Sequence, residues 1–550
     1  MSLSAVRPHL TSIQLSFLTT AYLLAFANAR FWATGLEIFG PHKLELAALA
    51  LALFLLGSSL LIMVSVKYVI KPVFIALVLV AATASYFTQT FGTLIDRDMI
   101  QNAMETTGPE AGHLLTPALF AHIALYGLLP AALIAFVRVD HRRVLAKAGW
   151  NTAVIVPSLI VVCAIVFSNY SVYASTFRAH REFLASLNPA ASLVASVKYA
   201  VHETRSGPLV VQPLGLDAKR MPKPGDRPRV LVVVVGETAR AANFSLLGYD
   251  RPTNPKLSAR DDILAFSNVS SCGTATAISV PCMFSVYPRS DYSEDKSDTT
   301  ENVLDVLTHA GVGVEWFDNN TGSKKVADRV PYEFLPETND PRYCEGGECR
   351  DDILTDRLVK ALGAVEGDTV IVLHQLGSHG PAYYARYDET ARHFTPDCRT
   401  AEFADCSREE IVNAYDNTIV ETDRFLDDVV TVLGKASDRL DTAMLYVSDH
   451  GESLGEKGLY LHAAPYFLAP SEQTHVPMIA WLSDGFQSSD GIETACLAKE
   501  RDEAFSHDNL FHTVLGLMGV GTKVYDRALD IAAPCRDNGL VTSSLEGPES

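Results

Sequence analysis

The sequence has few charged residues and lacks any excess of positive charge. Of its 550 residues only 20% are Asp, Glu, Lys or Arg, whereas 48% are hydrophobic, a composition too apolar for a disordered chain. The formal net charge of −19 argues against a nucleic-acid-binding protein. No C-x-x-C pair occurs among the nine cysteines, which disfavours a cytosolic metal or redox site built from them.

The charge is divided unevenly along the chain. Residues 1–205 contain 14 basic and 9 acidic residues, which leaves 31 basic and 55 acidic residues in the remainder. The first part is also rich in long apolar runs. An apolar, slightly basic first part joined to an acidic second part predicts a membrane anchor followed by a water-soluble domain.

Five stretches without Asp, Glu, Lys or Arg are long enough to cross a bilayer, which takes roughly 20 apolar residues. They are Leu10–Ala29, Leu46–Val66, Pro72–Phe91, Leu114–Val137 and Asn151–Tyr170. The loops on one side, beginning with Arg7, hold seven basic residues against one acid, Asp140. This bias predicts a cytoplasmic N-terminus and, after five crossings, a C-terminal domain outside.

Other features refine this organisation. No small-residue cleavage signature follows the first apolar stretch, so we expect it to be a retained signal anchor. Residues 171–205, with Arg178, Arg181, Lys198 and His202, are expected to form amphipathic helices at the outer membrane boundary. Pro208–Pro228 is predicted to be a linker, because prolines and glycines are frequent in it.

The cysteines follow the same division. Cys163 lies alone in an apolar run, whereas the other eight all lie in the second part of the chain. An even number confined to the soluble part predicts four disulfides in an oxidising compartment. This places the domain on the same side of the membrane as the loop charges do.

From Arg229 onward, apolar runs rich in β-branched residues alternate with helical patterns. The predicted strands are Val230–Val235, Val312–Phe317, Thr369–His374, Thr442–Val447 and Val476–Leu482, and the clearest helices are Glu409–Leu433 and Asp508–Leu517. This alternation predicts an α/β sandwich with a largely parallel sheet, whose functional groups collect at the carboxyl ends of the strands.

Residues with carboxylate or imidazole side chains follow three of these strands. Glu237 comes after the first, His379 after the third, and Asp449-His450 after the fourth. Asp449 and His450 can share a metal only if the strand ends before them, because neighbours on a strand point to opposite faces. Each residue alone is more typical of an ordinary turn or loop. Their joint placement at one sheet edge predicts a site for Zn²⁺ or Mn²⁺.

A candidate nucleophile lies in the segment between Cys272 and Cys282, which is typical of a loop entering a short helix. A hydroxyl at a helix N-terminus lies in a field that favours an anionic phosphate. The alternative is that Thr274, Thr276 and Ser279 only cap the helix. Composition does not choose among the three hydroxyl groups.

Several motifs resemble those of lipid A phosphoethanolamine transferases, which include the polymyxin (colistin) resistance transferases. They are VGETARAANFSL at 235–246, SCGTATA at 271–277, LGSHGP at 376–381, SDHGESLGE at 448–456 and YLH at 460–462. The resemblance covers nearly the whole chain. It implies a multi-pass protein of the bacterial inner membrane with an N-terminal α-helical domain of five transmembrane helices and a C-terminal periplasmic α/β domain of alkaline-phosphatase type. The expected boundaries are 1–170, 171–228 and 229–550.

The resemblance also implies roles for individual residues. Thr276 would be the nucleophile, and the catalytic Zn²⁺ would be bound by Glu237, Thr276, Asp449 and His450. His379 and His462 would handle the phosphate, a proton or a second zinc, and Lys324 would bind substrate. The ethanolamine headgroup would be bound by Asn102, Thr106 and Glu110, whose four-residue spacing would align them on one helical face.

One departure from the family is visible beside Lys324. Some members have cysteines at the positions of Ser323 and Ala327, so the bridge around that loop is absent here. His475 and His507 match no functional position and are interpreted as structural or solvated. Proximity along the chain suggests four disulfide pairs, and the resemblance favours the same pairing: Cys272–Cys282, Cys344–Cys349, Cys398–Cys406 and Cys496–Cys535.

The resemblance predicts transfer of phosphoethanolamine from phosphatidylethanolamine to a phosphate of lipid A through a phospho-threonine, giving polymyxin resistance. We expect a monomer whose partners are these two lipids and the surrounding membrane, with no nucleic acid. One alternative is the same chemistry on a core sugar or glycan. A sulfatase is disfavoured because no C-x-P-x-R sequence occurs. A non-enzymatic membrane sensor is disfavoured because every proposed zinc ligand is present.

Overall fold

The computed structural model describes residues 7–180, 182–205, 210–221, 225 and 227–536. The chain divides into two compact units. The helical unit contains the described residues up to 100 together with residues 115–204, and the α/β unit contains residues 101–114 and the described residues from 205 onward. Arg181 and part of the predicted linker Pro208–Pro228 lie outside the described residues.

Four helices of the helical unit are long and apolar enough to cross a membrane. They are Lys43–Met63, Ile70–Thr90, Pro117–Phe136 and Val144–Ser168, which overlap four of the five predicted spans. The first predicted span forms a shorter apolar helix of 15 residues, Ser12–Phe26. That helix ends before Asn28, whose side-chain amide donates to the carbonyl of Leu23 at 2.9 Å.

The span Pro117–Phe136 is interrupted at its centre. It consists of the α-helix Pro117–Ile123, the π-helical turn Ala124–Leu128 and the α-helix Leu129–Phe136. Pro130 has no N–H to donate to the carbonyl of Tyr126 one turn earlier. The hydroxyl of Tyr22 donates to that carbonyl at 2.7 Å instead, which satisfies it within the unit.

Shorter helices complete the helical unit. They are Ala29–Phe39, Tyr170–Ala179, Glu182–Ala185 and Ala190–Arg205. Aromatic side chains join three of them, since the rings of Phe31 and Phe183 stack at 4.2 Å and Tyr173 lies in the same buried cluster.

An eight-stranded sheet forms the centre of the α/β unit. In chain order its strands are β1 Arg229–Gly236, β2 Leu264–Ser270, β3 Gly313–Asp318, β4 Tyr332–Phe334, β5 Thr369–His374, β6 Asp441–Ser448, β7 His475–Leu482 and β8 Phe505–Ser506. Their order across the sheet is β8-β2-β7-β6-β1-β5-β3-β4. Only β7 pairs antiparallel with its neighbours among these described strands. The sheet is therefore largely parallel, as the sequence predicts.

Helices cover this sheet. They are Thr276–Met283, Glu294–Asp298, Val303–His309, Asp352–Ala364, Arg408–Ala436, Ser471–Thr474, Asp484–Asp490, Thr494–Leu497 and Leu510–Leu517. All five predicted strands and both predicted helices are present; Thr369–His374 has the predicted bounds, and the others are shifted at one or both ends. β2 was not anticipated, because only part of its mixed sequence LAFSNVS is buried and no long apolar run marks it.

The register of the central strands determines where the candidate site residues lie. Every residue of β1 is buried, as expected for a strand covered on both faces. Val235 pairs with Val447 of β6 on one side and with His374 of β5 on the other. The three strands therefore end side by side, and the residues that follow them meet at one edge of the sheet.

All four predicted disulfide pairs are confirmed, and Cys163 is free and exposed. The bridge Cys496–Cys535 closes the longest loop, with a sequence separation of 39 residues. Constraining a loop of that length in the unfolded chain contributes about 4 kcal/mol in the chain-entropy description.

Candidate active site

Glu237, Asp449 and His450 form a buried cluster at the edge of the sheet. Their ligand atoms all lie within 4.8 Å of one another. β6 ends at Ser448, so Asp449 and His450 are free to turn toward the same point, the condition that sharing a metal requires. Gly451 makes the turn possible, because a Cβ there would lie 2.0 Å from the carbonyl oxygen of Glu472.

Hydrogen bonds around the cluster leave lone pairs directed inward. His450 Nδ1 donates to the carbonyl of Gly451 at 2.9 Å, which leaves the lone pair on Nε2. That nitrogen lies 3.5 Å from Glu237 Oε1 and 3.4 Å from Asp449 Oδ2. Oδ1 of Asp449 accepts from the amides of Thr238 and His450, whereas Oδ2 accepts no hydrogen bond from any described residue.

The electrostatics of the cluster favour a bound cation. Burial and the charge of Glu237 raise the pKa of Asp449 well above its usual value. Burial and the neighbouring His462 lower the pKa of His450 to about 3, so its imidazole is neutral. Two carboxylates and a neutral imidazole with converging lone pairs are a donor set that suits Zn²⁺ or Mn²⁺. The residues present therefore fit a divalent metal.

Thr276 places its hydroxyl against this cluster. It is the first residue of the helix Thr276–Met283. Its Oγ1 donates to Glu237 Oε2 at 3.0 Å and lies 3.4 Å from His450 Nε2. The positive end of the helix dipole at this position favours an incoming phosphate.

The other candidate hydroxyls bind elsewhere. Thr274 Oγ1 donates to the carbonyl of Ala464 at 2.6 Å, and Ser279 Oγ donates to the carbonyl of Asp449. Ser279 therefore ties the helix to the metal-binding turn. Only Thr276, among the three hydroxyls that composition left open, contacts the side chains of the cluster.

His507 joins the loop before this helix to the end of β6 from outside the cluster. Its Nδ1 accepts from the amide of Cys272 at 3.1 Å, and its Nε2 donates to the carbonyl of Ser448 at 2.9 Å. It is buried, in agreement with a structural interpretation. His475 is partly exposed, and its Nε2 donates to the carbonyl of Ser267 at 2.7 Å.

Asn320 is a site residue that the sequence analysis missed. Its side-chain amide donates at 2.7 Å both to Glu237 Oε2 and to the carbonyl of Gln375. It therefore orients the carboxylate oxygen that also accepts from Thr276. Its place two residues after β3, at the same sheet edge, was the available signal.

Lys324 follows in the same loop and has a positive φ of 51°. Its Nζ lies 2.9 Å from Glu105 Oε2 and donates to the carbonyl of Thr321 at 3.2 Å. The amide of Ala327 donates to Ser323 Oγ at 3.2 Å. A hydrogen bond thus joins the two positions on either side of Lys324 between which no disulfide bridge was expected.

His379 and His462 lie beside the cluster. The centroid of the His462 ring is 4.6 Å from the ring centroid of His450 and 5.4 Å from that of His379. His379 Nε2 is 3.2 Å from Glu110 Oε1. His462 Nδ1 is 3.5 Å from Oε1 of Glu452.

Glu452 is a second residue that the sequence analysis did not assign. It is fully buried and accepts a hydrogen bond from the Tyr383 hydroxyl at 3.0 Å. Burial lowers the pKa of His462, but the charge of Glu452 and its hydrogen bond, together with the charges of Glu237 and Glu110, outweigh burial and raise that pKa above its usual value. Glu452 therefore favours a protonated His462.

Asn102, Thr106 and Glu110 do not lie on one continuous helix, so that prediction is wrong. One helix ends at Glu105 and another, Gly108–Leu114, begins three residues later. Pro109 explains the break, because it has no N–H to donate to the carbonyl of Glu105 one turn earlier, whereas proline is well accommodated in a first helical turn. Thr106 instead folds back, and its hydroxyl donates to the carbonyl of Asn102 at 2.7 Å.

Comparisons with known proteins define first the class of fold. The family model described as Sulfatase matches residues 229–520, the region that contains the sheet and the buried cluster. The α/β unit is therefore a sulfatase-like domain of the alkaline-phosphatase type. A second family model, described as Phosphoethanolamine transferase EptA/EptB, matches residues 52–204.

Relatives extend over nearly the full length. Phosphoethanolamine transferase EptA of Salmonella typhimurium is 40% identical over 538 residues, covering 96% of this chain and 98% of that protein. Phosphatidylethanolamine transferase Mcr-1 of Escherichia coli is 41% identical over 498 residues, covering 87% and 90%. The integral membrane lipooligosaccharide phosphoethanolamine transferase A of Neisseria meningitidis is 38% identical, with a TM-score of 0.92 and coverage of 96% and 99%. The chain belongs to the phosphoethanolamine transferase family.

Proposed function

We propose that this protein transfers phosphoethanolamine from phosphatidylethanolamine to a phosphate of lipid A, with Thr276 as the covalent carrier. The observation that carries the proposal is the hydroxyl of Thr276, 3.0 Å from the Glu237 carboxylate at a helix N-terminus. A phosphorylated hydroxyl is a common way to divide a transfer into two displacements. Membership of the family supports the transferred group.

The proposed metal is Zn²⁺, held by Glu237, Asp449, His450 and the oxygen of Thr276. When bound, it would lower the pKa of the hydroxyl and neutralise charge on the phosphoryl group. Asn320 orients Glu237, and the carbonyl of Gly451 fixes the tautomer of His450. Both hydrogen bonds orient metal ligands, and neither of them involves the substrate.

In the first step, Thr276 Oγ1 forms a bond to the donor phosphorus. The bond from phosphorus to the glycerol oxygen breaks, and diacylglycerol leaves after that oxygen takes a proton. The proton of Thr276 faces Glu237 Oε2, which accepts its hydrogen bond. His379 and His462 hold the phosphate or carry the proton, and Lys324 adds positive charge.

In the second step, a phosphate oxygen of lipid A forms a bond to the same phosphorus. The bond to Thr276 Oγ1 breaks, and the hydroxyl recovers its proton. The product carries an added ammonium group. That cation reduces the negative charge of lipid A and weakens its attraction for cationic peptides such as polymyxin.

The headgroup of the donor is proposed to be held by Asn102, Thr106 and Glu110. Glu110 would pair with the ethanolamine ammonium, while Asn102 and Thr106 offer hydrogen-bonding groups. In the structure the side chain of Glu110 faces His379. Glu110 and His379, which are proposed to bind the ammonium and the phosphate, are neighbours within the α/β unit, and this supports the proposal.

We further propose a monomer in the bacterial inner membrane with five crossings and a periplasmic catalytic domain. In addition to the four long helices, the first helix of the chain, Ser12–Phe26, is proposed to cross the membrane. Its length of roughly 22 Å requires apolar flanking residues or local thinning of the bilayer. The loop charges and four disulfides support this orientation. The proposed divisions are 1–170, 171–228 and 229–550, although Lys219–Arg220 already pairs with Val520–Gly521 of the α/β unit.

Mass spectrometry of lipid A tests the function. Cells that express the gene should contain lipid A with an added phosphoethanolamine group on a phosphate, and cells without it should not. Donor lipid labelled in its ethanolamine should pass the label to lipid A, whereas label in its acyl chains should appear in diacylglycerol. Label found on a core sugar or glycan would establish the other acceptor and overturn this one.

The headgroup role predicts a substrate-dependent effect of Glu110→Gln. Losing a charged hydrogen bond to the ammonium should reduce transfer from phosphatidylethanolamine in membranes by about tenfold or more. Hydrolysis of a small soluble phosphoester without ethanolamine should change little. Equal losses with both substrates would indicate misfolding or a direct chemical role, and unchanged lipid transfer would remove the headgroup role.

A further inference from the structure

A small hairpin beside the site has no role in the mechanism above. Its strands, Cys344–Glu345 and Glu348–Cys349, pair antiparallel and are joined by Gly346 and Gly347. The disulfide Cys344–Cys349 closes it. Such a short ring gives the hairpin a restricted shape, so a group on it is held in a defined position.

Glu348 on this hairpin accepts hydrogen bonds from two parts of the chain. His113 Nε2 donates to its Oε2 at 3.0 Å. Arg386 donates to both of its carboxylate oxygens, at 2.8 and 3.1 Å, in the bidentate geometry typical of strong pairs. Burial would raise the pKa of Glu348, but the contacts with His113 and Arg386 outweigh it and keep the carboxylate ionised.

Arg386 connects this carboxylate to the active site. Its side chain is buried, and its Nε donates to the carbonyl of His379 at 2.9 Å. The imidazole of His379, at the same residue, faces Glu110. His113 and Glu110 both belong to the short helix Gly108–Leu114. The hydrogen bonds through Glu348 therefore connect Glu110 and His379, which are in direct contact with each other.

A backbone contact reinforces the connection. Gly347 has a φ of 91°, and a Cβ there would lie 2.6 Å from Cγ of Pro109. The hairpin turn thus lies directly against the first turn of the helix Gly108–Leu114. The packing of Gly347 against Pro109 and the hydrogen bond of His113 to Glu348 are two independent contacts between the hairpin and this helix.

We infer that the hairpin 344–349 is a docking platform for residues 101–114, and that Glu348 is a positioning residue that sets the spacing between Glu110 and His379. Glu348 acts through His113 and Arg386 and does not touch the substrate. The inference rests on the headgroup role proposed for Glu110. It adds a residue that determines where Glu110 and His379 are held relative to the ammonium and the phosphate of a zwitterionic headgroup.

The test uses the full-length protein in phosphatidylethanolamine-containing vesicles and compares Glu348→Gln, His113→Ala and Glu345→Gln. Glu345 is exposed on the paired strand of the same hairpin, which makes it a matched control. We expect Glu348→Gln to raise the KM for phosphatidylethanolamine about tenfold, because the bidentate carboxylate is lost. Hydrolysis of a soluble phosphoester, which does not need Glu110, should be affected by a smaller factor than lipid transfer, and Glu345→Gln should change neither.

A double substitution separates positioning from general stability. If Glu348 acts through His113, the variant with both changes should have the same KM as Glu348→Gln alone, because the second change removes nothing further. Additive effects would overturn the connection. Should Glu348→Gln fail to fold because Arg386 loses its partner, His113→Ala decides the question, since it leaves that ion pair intact. An unchanged KM in His113→Ala would then overturn the proposal.

Hydrogen–deuterium exchange distinguishes this inference from the proposed function. Glu348→Gln and His113→Ala should each speed exchange in residues 101–114, whereas Glu345→Gln should not. If Glu110→Gln leaves lipid transfer unchanged, the headgroup role fails. The hydrogen–deuterium exchange of residues 101–114 still tests whether the hairpin holds this segment. Unchanged exchange in both variants would show that the hairpin does not hold the segment.

Discussion

Thr276→Ala is expected to abolish phosphoethanolamine transfer while leaving the protein folded. The residue supplies the only hydroxyl, among the three candidates, that contacts the side chains of the buried cluster. Removing a nucleophile that forms a covalent intermediate costs about 10³-fold or more in rate. Lipid A mass spectrometry measures the loss, and thermal melting checks the fold.

Two neighbouring substitutions sharpen this test. Thr276→Ser keeps a hydroxyl at the same position and should retain measurable transfer. Thr274→Ala loses one hydrogen bond to the carbonyl of Ala464, a stability effect of about 1 kcal/mol, and should reduce transfer far less. If Thr276→Ala still accumulates a phosphoethanolamine adduct on residues 271–283, another hydroxyl is the nucleophile.

Removal of the divalent metal is expected to eliminate transfer reversibly. Chelation should release zinc from the purified protein, and activity should return with Zn²⁺ but not with Mg²⁺, because the donor set includes an imidazole. Bound zinc should also raise the melting temperature, since a ligand present at about a thousandfold excess over its dissociation constant stabilises by about 4 kcal/mol. Elemental analysis and thermal melting measure both effects.

Asp449→Asn tests the same metal site by changing one of its proposed ligands. Asparagine keeps the oxygen that accepts from Thr238 and His450, but it removes the negative charge that would face the metal. Zinc affinity should fall by about 100-fold or more. The metal-free variant should melt no lower than the metal-free original protein, because asparagine needs neither a buried charge nor the uptake of a proton at this position. Zinc binding of the original strength in this variant would contradict the ligand assignment.

The sheet and the position of the site could be predicted from local sequence. Val230–Val235 is an uninterrupted β-branched run, and β1 is buried on both faces for that reason. Because parallel strands end together, Glu237, Asp449 and His450 could be placed at one edge without any coordinates. The disulfide pairs were also predictable, since three of them join cysteines ten residues apart or fewer.

The break between Glu105 and Gly108 shows where two local signals compete. Four-residue spacing of Asn102, Thr106 and Glu110 suggested one helix, but Pro109 lacks the N–H that would continue it, and its ring clashes with the carbonyl one turn earlier. The steric restriction of proline outweighs spacing, because spacing only aligns residues when the helix continues. The first apolar stretch is similar, since its composition suggested a span of full length and the helix Ser12–Phe26 is shorter.

By itself, the sequence determined the division into an apolar first part and an acidic second part, the strand–helix alternation and the set of residues at the strand ends. These properties follow from periodicity and composition, which act over a few residues. Only the tertiary structure decided that Thr276 contacts Glu237, that Asn320 orients it, and that Glu348 joins His113 to Arg386. His113 and Glu348 are 235 residues apart in sequence. Contacts at such separations depend on how the loops pack after the sheet has formed, and no local pattern encodes that packing.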